Sequence, residues 1–182
     1  MLRLTLAAAA LSLLAATATS LAAPEQLRPV VPEADGYIVI PQAALKPNPA
    51  MRYRMVFDAR KGADKPDELA PAINLAASEL NTFVAAKVPA GRYSIAVVFH
   101  GRGVDDALLD NAHYKAKYGA DNPNLKPLAE MRKAGVELYV CGEQLTFDGV
   151  DFKSLTPDVT VAADGLLALT VFQNKGYAVL AF

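Results

Sequence analysis

The chain has one cysteine, Cys141, and two histidines, His100 and His113. Any thiol or imidazole chemistry has to begin with these three side chains. Cys141 ends the apolar run Val-Glu-Leu-Tyr-Val-Cys (136–141) and is followed by Gly142-Glu143-Gln144, a sequence able to open a helix. Cysteine reacts as the thiolate, which a helix N-terminus or a neighbouring cation stabilises. The N–H groups from Gly142 to Gln144 are placed to face the sulfur, although the Glu143 carboxylate disfavours a second anion nearby. Against this stands a packing role, because free cysteine is among the most buried residue types.

His100 ends another apolar run, Tyr93 to Phe99, and is followed by Gly101-Arg102-Gly103. The grammar matches Cys141-Gly142. If the two runs are neighbouring parallel strands, His100 and Cys141 share one edge of the sheet, where the imidazole could accept the thiol proton or orient a ligand. The alternative is a histidine bonded to a loop carbonyl. No third member of a triad is evident. Arg102, between two glycines, could meet an anion at the same edge or simply be a solvated loop arginine. His113, in the polar Asn-Ala-His-Tyr-Lys stretch (111–115), reads as surface. One cysteine and two separated histidines make no structural zinc site. There is no P-loop, no G-x-G-x-x-G and no G-x-S-x-G, so the sequence implies no cofactor and supports neither nucleotide nor serine-hydrolase chemistry.

The elements that carry these residues alternate. Met51, Tyr53, Met55 and Phe57 have strand spacing, and Asp58 closes that strand. Leu69, Ile73, Ala76, Leu80, Phe83 and Val84 fall on one helical face, with a start predicted near Asp64-Lys65-Pro66. Tyr93 to Phe99 is apolar on both alternating sets, as suits an interior strand of a parallel sheet. Short helical pieces are expected at 104–109 and 112–118. Another helix carries Leu125, Leu128 and Met131, and Gly135 ends it. Val136 to Cys141 is the third strand. A helical turn after Gly142, a strand over 159–162, a helix from about 164 and a strand over 177–182 complete the order. The last helix is apolar nearly all round, which predicts deep burial. This alternation predicts a three-layer α/β/α domain over 51–182 with a mostly parallel sheet of about five strands.

Outside that domain lie two further segments. Residues 1–22 have one basic residue, an apolar Leu/Ala stretch and small residues before Ala22, the pattern of a cleaved secretory signal peptide. The apolar stretch is shorter than the ~20 residues a spanning helix needs, so no membrane segment is expected in the mature chain. Residues 23–50 hold half of the twelve prolines and read as an extended arm. Its Tyr-Ile-Val-Ile stretch (37–40) could lie on the domain or add an edge strand, and a flexible linker is the alternative. Removing residues 1–22 takes away Arg3 and leaves 17 Lys+Arg against 19 Asp+Glu. That balance offers nothing to nucleic acid, which needs a clustered basic surface. An odd cysteine in an exported protein implies a free thiol or intermolecular pairing.

Val-Val-Phe-His-Gly (97–101), Gly-Val-Glu-Leu-Tyr-Val-Cys-Gly-Glu-Gln (135–144) and Gln-Asn-Lys-Gly-Tyr (173–177) resemble the DsrE/DsrF-like family, and more closely its secreted members. The resemblance runs from about Met51 to Phe182. It implies an α/β/α domain with about five largely parallel strands, assembled into trimers or hexamers. It also implies a cysteine that accepts sulfane sulfur as a persulfide and passes it to a partner. Cys141 matches that cysteine, and His100 matches a histidine at the end of the second main strand. The expected site is therefore catalytic Cys141 with His100, Gly142 and Gln144 as binding residues, in a periplasmic homo-oligomer whose partners are a sulfur donor and acceptor. The alternative is a non-catalytic oligomeric module that binds a small molecule or metal ion in the same end-of-strand pocket.

Overall fold

The structure, a computed structural model, describes residues 24–101 and 103–181. The leader reading for residues 1–22 and the anion-site reading for Arg102 lie outside the described residues. Five strands, β1 (Tyr53–Ala59), β2 (Tyr93–Phe99), β3 (Glu137–Cys141), β4 (Thr160–Ala162) and β5 (Ala178–Ala181), form one sheet in the order β4-β3-β2-β1-β5. Every pairing is parallel. The doubly apolar β2 takes the central position, as its composition requires.

Helices cover both faces. Helix α1 (Pro71–Ala85) packs on β1 and β2, beside α3 (Leu125–Lys133). Ile73, Ala76, Ala77, Leu80 and Phe83 of α1 are buried in the larger core with Phe57, Val97, Phe99, Leu138 and Val140. A fully buried Ile or Leu side chain of this kind contributes roughly 1.5–3 kcal/mol. Helices α2 (Asn111–Tyr118) and α4 (Gly142–Phe147) follow β2 and β3, and Leu145 of α4 joins the same core. Helix α5 (Gly165–Asn174) lies on the other face, against β1, β2, β3 and β5. It has to cross there, because it connects the edge strand β4 to the opposite edge β5. The smaller core beneath it comprises Val56, Ala96, Val98, Leu169 and Phe172.

Two expectations need correction. Helix α1 starts at Pro71, not near Asp64, with Pro71 in the first turn and Ala70 as N-cap. The cap comes from elsewhere in the chain: the Asn124 side-chain oxygen accepts the Ala70 N–H at 2.9 Å. Helix α5 is not deeply buried all round. Leu169 and Phe172 face the sheet, whereas Leu166 (64%), Leu167 (54%) and Val171 are exposed.

In the proline-rich segment, Val31 and Ala34 are buried against the larger core. The anchor is Asn81, fully buried on α1. Its oxygen accepts from the Val30 and Val31 N–H groups at 3.0 Å each, and its amide donates to the Val31 and Asp35 carbonyls. Lys126 of α3 pairs with Glu33. Tyr37–Ile40 adds no strand to the sheet; Tyr37 instead bridges Leu27, and Val39 and Ile40 are exposed. No described helix is long and apolar enough to cross a membrane.

Candidate functional site

Cys141 is the last residue of β3 and the N-cap of α4. The sulfur accepts the Gln144 N–H at 3.4 Å, so the strand-to-helix turn directs one of the helix's unpaired donors at it. Glycine is needed next: a Cβ on Gly142 would stand 2.9 Å from the Ala162 carbonyl oxygen and 3.0 Å from a Val161 methyl. The Glu143 N–H donates to the Ala163 carbonyl, while its side chain is exposed. The Gln144 side chain turns away to Asp148 at 2.6 Å, so Gln144 meets the sulfur through its backbone. Cys141 itself is 6% exposed.

Strand alternation sets the neighbours. Leu138 and Val140 point into the core under α1, and Tyr139 packs under α5; Cys141 follows the Tyr139 side. On β2, Ala96 and Val98 face α5, and His100 continues that set. On β1, Val56 faces α5, and Asp58 continues it. Three adjacent parallel strands thus deliver Asp58, His100 and Cys141 to one face at their carboxyl ends, where ligands of open α/β sheets bind. The registers Phe99–Val140 and Ala59–Phe99 put His100 and Cys141 in the same following row.

His100 Nε2 lies 2.6 Å from Asp58 Oδ1, and both side chains are largely buried. Arg60 Nε approaches the same oxygen at 3.3 Å from the solvent side. A carboxylate only accepts, so the imidazole donates from Nε2, and in the neutral ring Nδ1 is then the acceptor. Gly165, the first residue of α5, sits over the pair. A Cβ built there would be 2.8 Å from His100 Cβ and 3.4 Å from Cys141 Cβ, so the two β-carbons are at most 6.2 Å apart, the sum of those distances. Asp164 holds this helix end by accepting from the Leu166 and Leu167 N–H groups at 3.1 and 3.0 Å.

The structure thus brings Cys141, His100 and Gly142 together. It separates His113, which is exposed on α2 and bonded to Asp110 at 2.9 Å. Sequence reading missed Asp58 as the partner of His100. Its one sequence signal was an acidic residue closing the strand that pairs with the histidine's own. An open groove of about 570 Å³ begins at Gly142, lined by Glu143, Phe147, Phe152, Val161 and Ala163. Among the described residues, no group of three His, Cys, Asp or Glu side chains is arranged to hold a metal ion.

The sequence pattern of the DsrE/DsrF-like family matches residues 51–182. The chain belongs to that family. Its fold is similar to that of a protein of unknown function from Methanobacterium thermoautotrophicum, with a TM-score of 0.52 and 20% identity over 71% of this chain and 99% of that one. At that identity the likeness speaks for the fold alone. No curated protein is significantly similar to the chain. The family match supports a sulfur-relay role at the level of the family.

Proposed function

We propose that this DsrE-like protein carries sulfane sulfur as a persulfide on Cys141, taking it from a small or protein-bound donor and passing it to an acceptor. The observation that carries the reading is the placement of the one thiol. Cys141 stands at a strand-to-helix turn with the Gln144 N–H on its sulfur, beside His100 at the carboxyl end of the sheet. A sulfane sulfur bound there would keep the Gln144 N–H as a donor to the anionic chain, an interaction stronger with charged than with neutral acceptors. His100, Gly142 and the Gln144 backbone are the binding residues in this reading.

The working form is a homo-oligomer, a trimer or hexamer. Its support is the apolar strip of Leu166, Leu167 and Val171 on α5, together with Phe147, Phe152 and Val161 near the β4 edge, all exposed in the single chain. Exposed apolar patches of this kind mark interaction surfaces. The leader pattern in residues 1–22 would place the assembly in the periplasm.

Incubation of the mature protein with polysulfide, read by intact mass, tests the function. The expected result is one added sulfur that maps to Cys141, and none on Cys141→Ser. A thiol that stays unmodified while a small control thiol is converted would overturn it.

A further inference from the structure

Burial, register and one short hydrogen bond converge on a residue outside the thiol itself. We propose that Asp58 is the positioning residue of the Cys141 centre: it fixes the His100 imidazole in the Nε2–H form so that Nδ1 receives the thiol proton. This deepens the persulfide reading and rests on it.

The geometry supports each link. Asp58 and His100 come from adjacent parallel strands and meet at 2.6 Å with side chains 13% and 17% exposed, in surroundings where a hydrogen-bonded carboxylate is held rather than dissolved into water. In the neutral ring the contact places the proton on Nε2. His100 and Cys141 stand in one row on the next strand pair, with β-carbons at most 6.2 Å apart, as the distances of 2.8 and 3.4 Å to a common point on Gly165 require. With the ring held on Asp58, rotation of Cys141 about its own χ1 is the movement that would bring the thiol toward Nδ1. No hydrogen bond joins them in the resting structure, as is common for catalytic pairs before substrate arrives. The charged groups facing His100 are Asp58 and, behind it, Arg60. Helix α5 meets the ring with Gly165, and the Asp164 carboxylate is committed to two helix N–H groups.

The step balances without an outside oxidant. The Cys141 thiol gives its proton to Nδ1, and Asp58 stabilises the imidazolium that forms. The thiolate attacks the outer sulfur of a persulfide donor. One S–S bond forms at Cys141 as the donor's S–S bond breaks, and the departing thiolate takes the proton back from Nδ1. Donor persulfide and protein thiol become donor thiol and protein persulfide.

The test is a double-mutant cycle on the rate at which iodoacetamide alkylates Cys141 in the native mature protein, with thermal melts confirming the fold. This reaction needs no sulfur donor, so failure of persulfide loading and failure of the Asp58 role give different results. His100→Ala is expected to slow alkylation about 100-fold, the low end of general-base contributions, with partial recovery in imidazole buffer. Asp58→Asn is expected to slow it several-fold, and Asp58→Asn in the His100→Ala background to add nothing. Wild-type rates in both single variants, or effects that multiply in the double variant, would overturn the proposal. A second readout needs no variant: the His100 ¹⁵N spectrum of the wild type should show the proton on Nε2, and a proton mainly on Nδ1 would equally overturn it.

Discussion

Gly165→Ala is the most informative single change, because the added methyl lands on both halves of the site. It would stand 2.8 Å from His100 Cβ, 3.0 Å from His100 Cγ and 3.4 Å from Cys141 Cβ. The first two contacts are too close to keep, and His100 Cβ is fixed to the β2 backbone, so the end of β2 or the start of α5 must shift. Overpacking of this kind costs roughly 1–3 kcal/mol. The better helix propensity of alanine offsets less than the ~1 kcal/mol seen in helix interiors, because Gly165 is the first helical residue. The net loss is about 1–2 kcal/mol, or a Tm fall of about 2–8 °C for a chain of this size. The same shift should lengthen the Asp58–His100 contact and slow Cys141 alkylation. Differential scanning calorimetry gives the first quantity and intact mass against time gives the second. Gly91→Ala is the control: a Cβ there meets nothing within 4 Å, and neither quantity should move. Wild-type stability and wild-type alkylation in Gly165→Ala would refute the crowding on which the site's geometry rests.

Asn81→Ala removes four hydrogen bonds that hold residues 30–35 on α1; at ~0.5–1.5 kcal/mol each, denaturant unfolding should show a loss of roughly 2–6 kcal/mol, with amide exchange accelerated first at Val30 and Val31. Asp105 is buried in the turn after β2, and burial, followed by the neighbouring Asp106 and Asp148 carboxylates, pushes its acid above the usual aspartate range, partly offset by a hydrogen bond from its own N–H. A folded state that holds this proton more tightly than the unfolded chain loses stability as pH rises past the ordinary value near 3.8, so Asp105→Asn should raise Tm at pH 7 and leave it unchanged below that value. Leu167→Asp on the exposed strip of α5 should leave the melting of the monomer near wild type and shift the species seen by size-exclusion chromatography with light scattering toward the single chain; an unchanged assembly would remove this strip from the interface.

Much of the fold is legible from periodicity. The doubly apolar 93–99 segment reads as an interior strand of a parallel sheet, and the 3–4 spacing from Ile73 to Phe83 marks the buried face of α1. The two end-of-strand positions, His100 and Cys141, follow from the same reading once their strands are neighbours. Three features were not legible, each for a physical reason. The start of α1 depends on Asn124, 54 residues from the Ala70 N–H it caps, while Pro66 offers a local start signal that the fold does not use. The exposed strip of α5 is invisible because a helix apolar on all sides has no pattern to say which side is free. Asp58 escaped because its role is set by register between strands, and a closing aspartate on a strand is ordinarily a solvated end.

Whether the fold presents Cys141 as a reactive thiol is decided by alkylating the native mature protein with iodoacetamide across pH and following intact mass. Cys141 is only 6% exposed, so reaction of the folded protein requires the reagent to reach a largely covered sulfur. Single-site modification of the folded protein is expected well before any unfolding, and none in Cys141→Ser. Modification that appears only on denaturation would make Cys141 a packing residue and rule out the persulfide role.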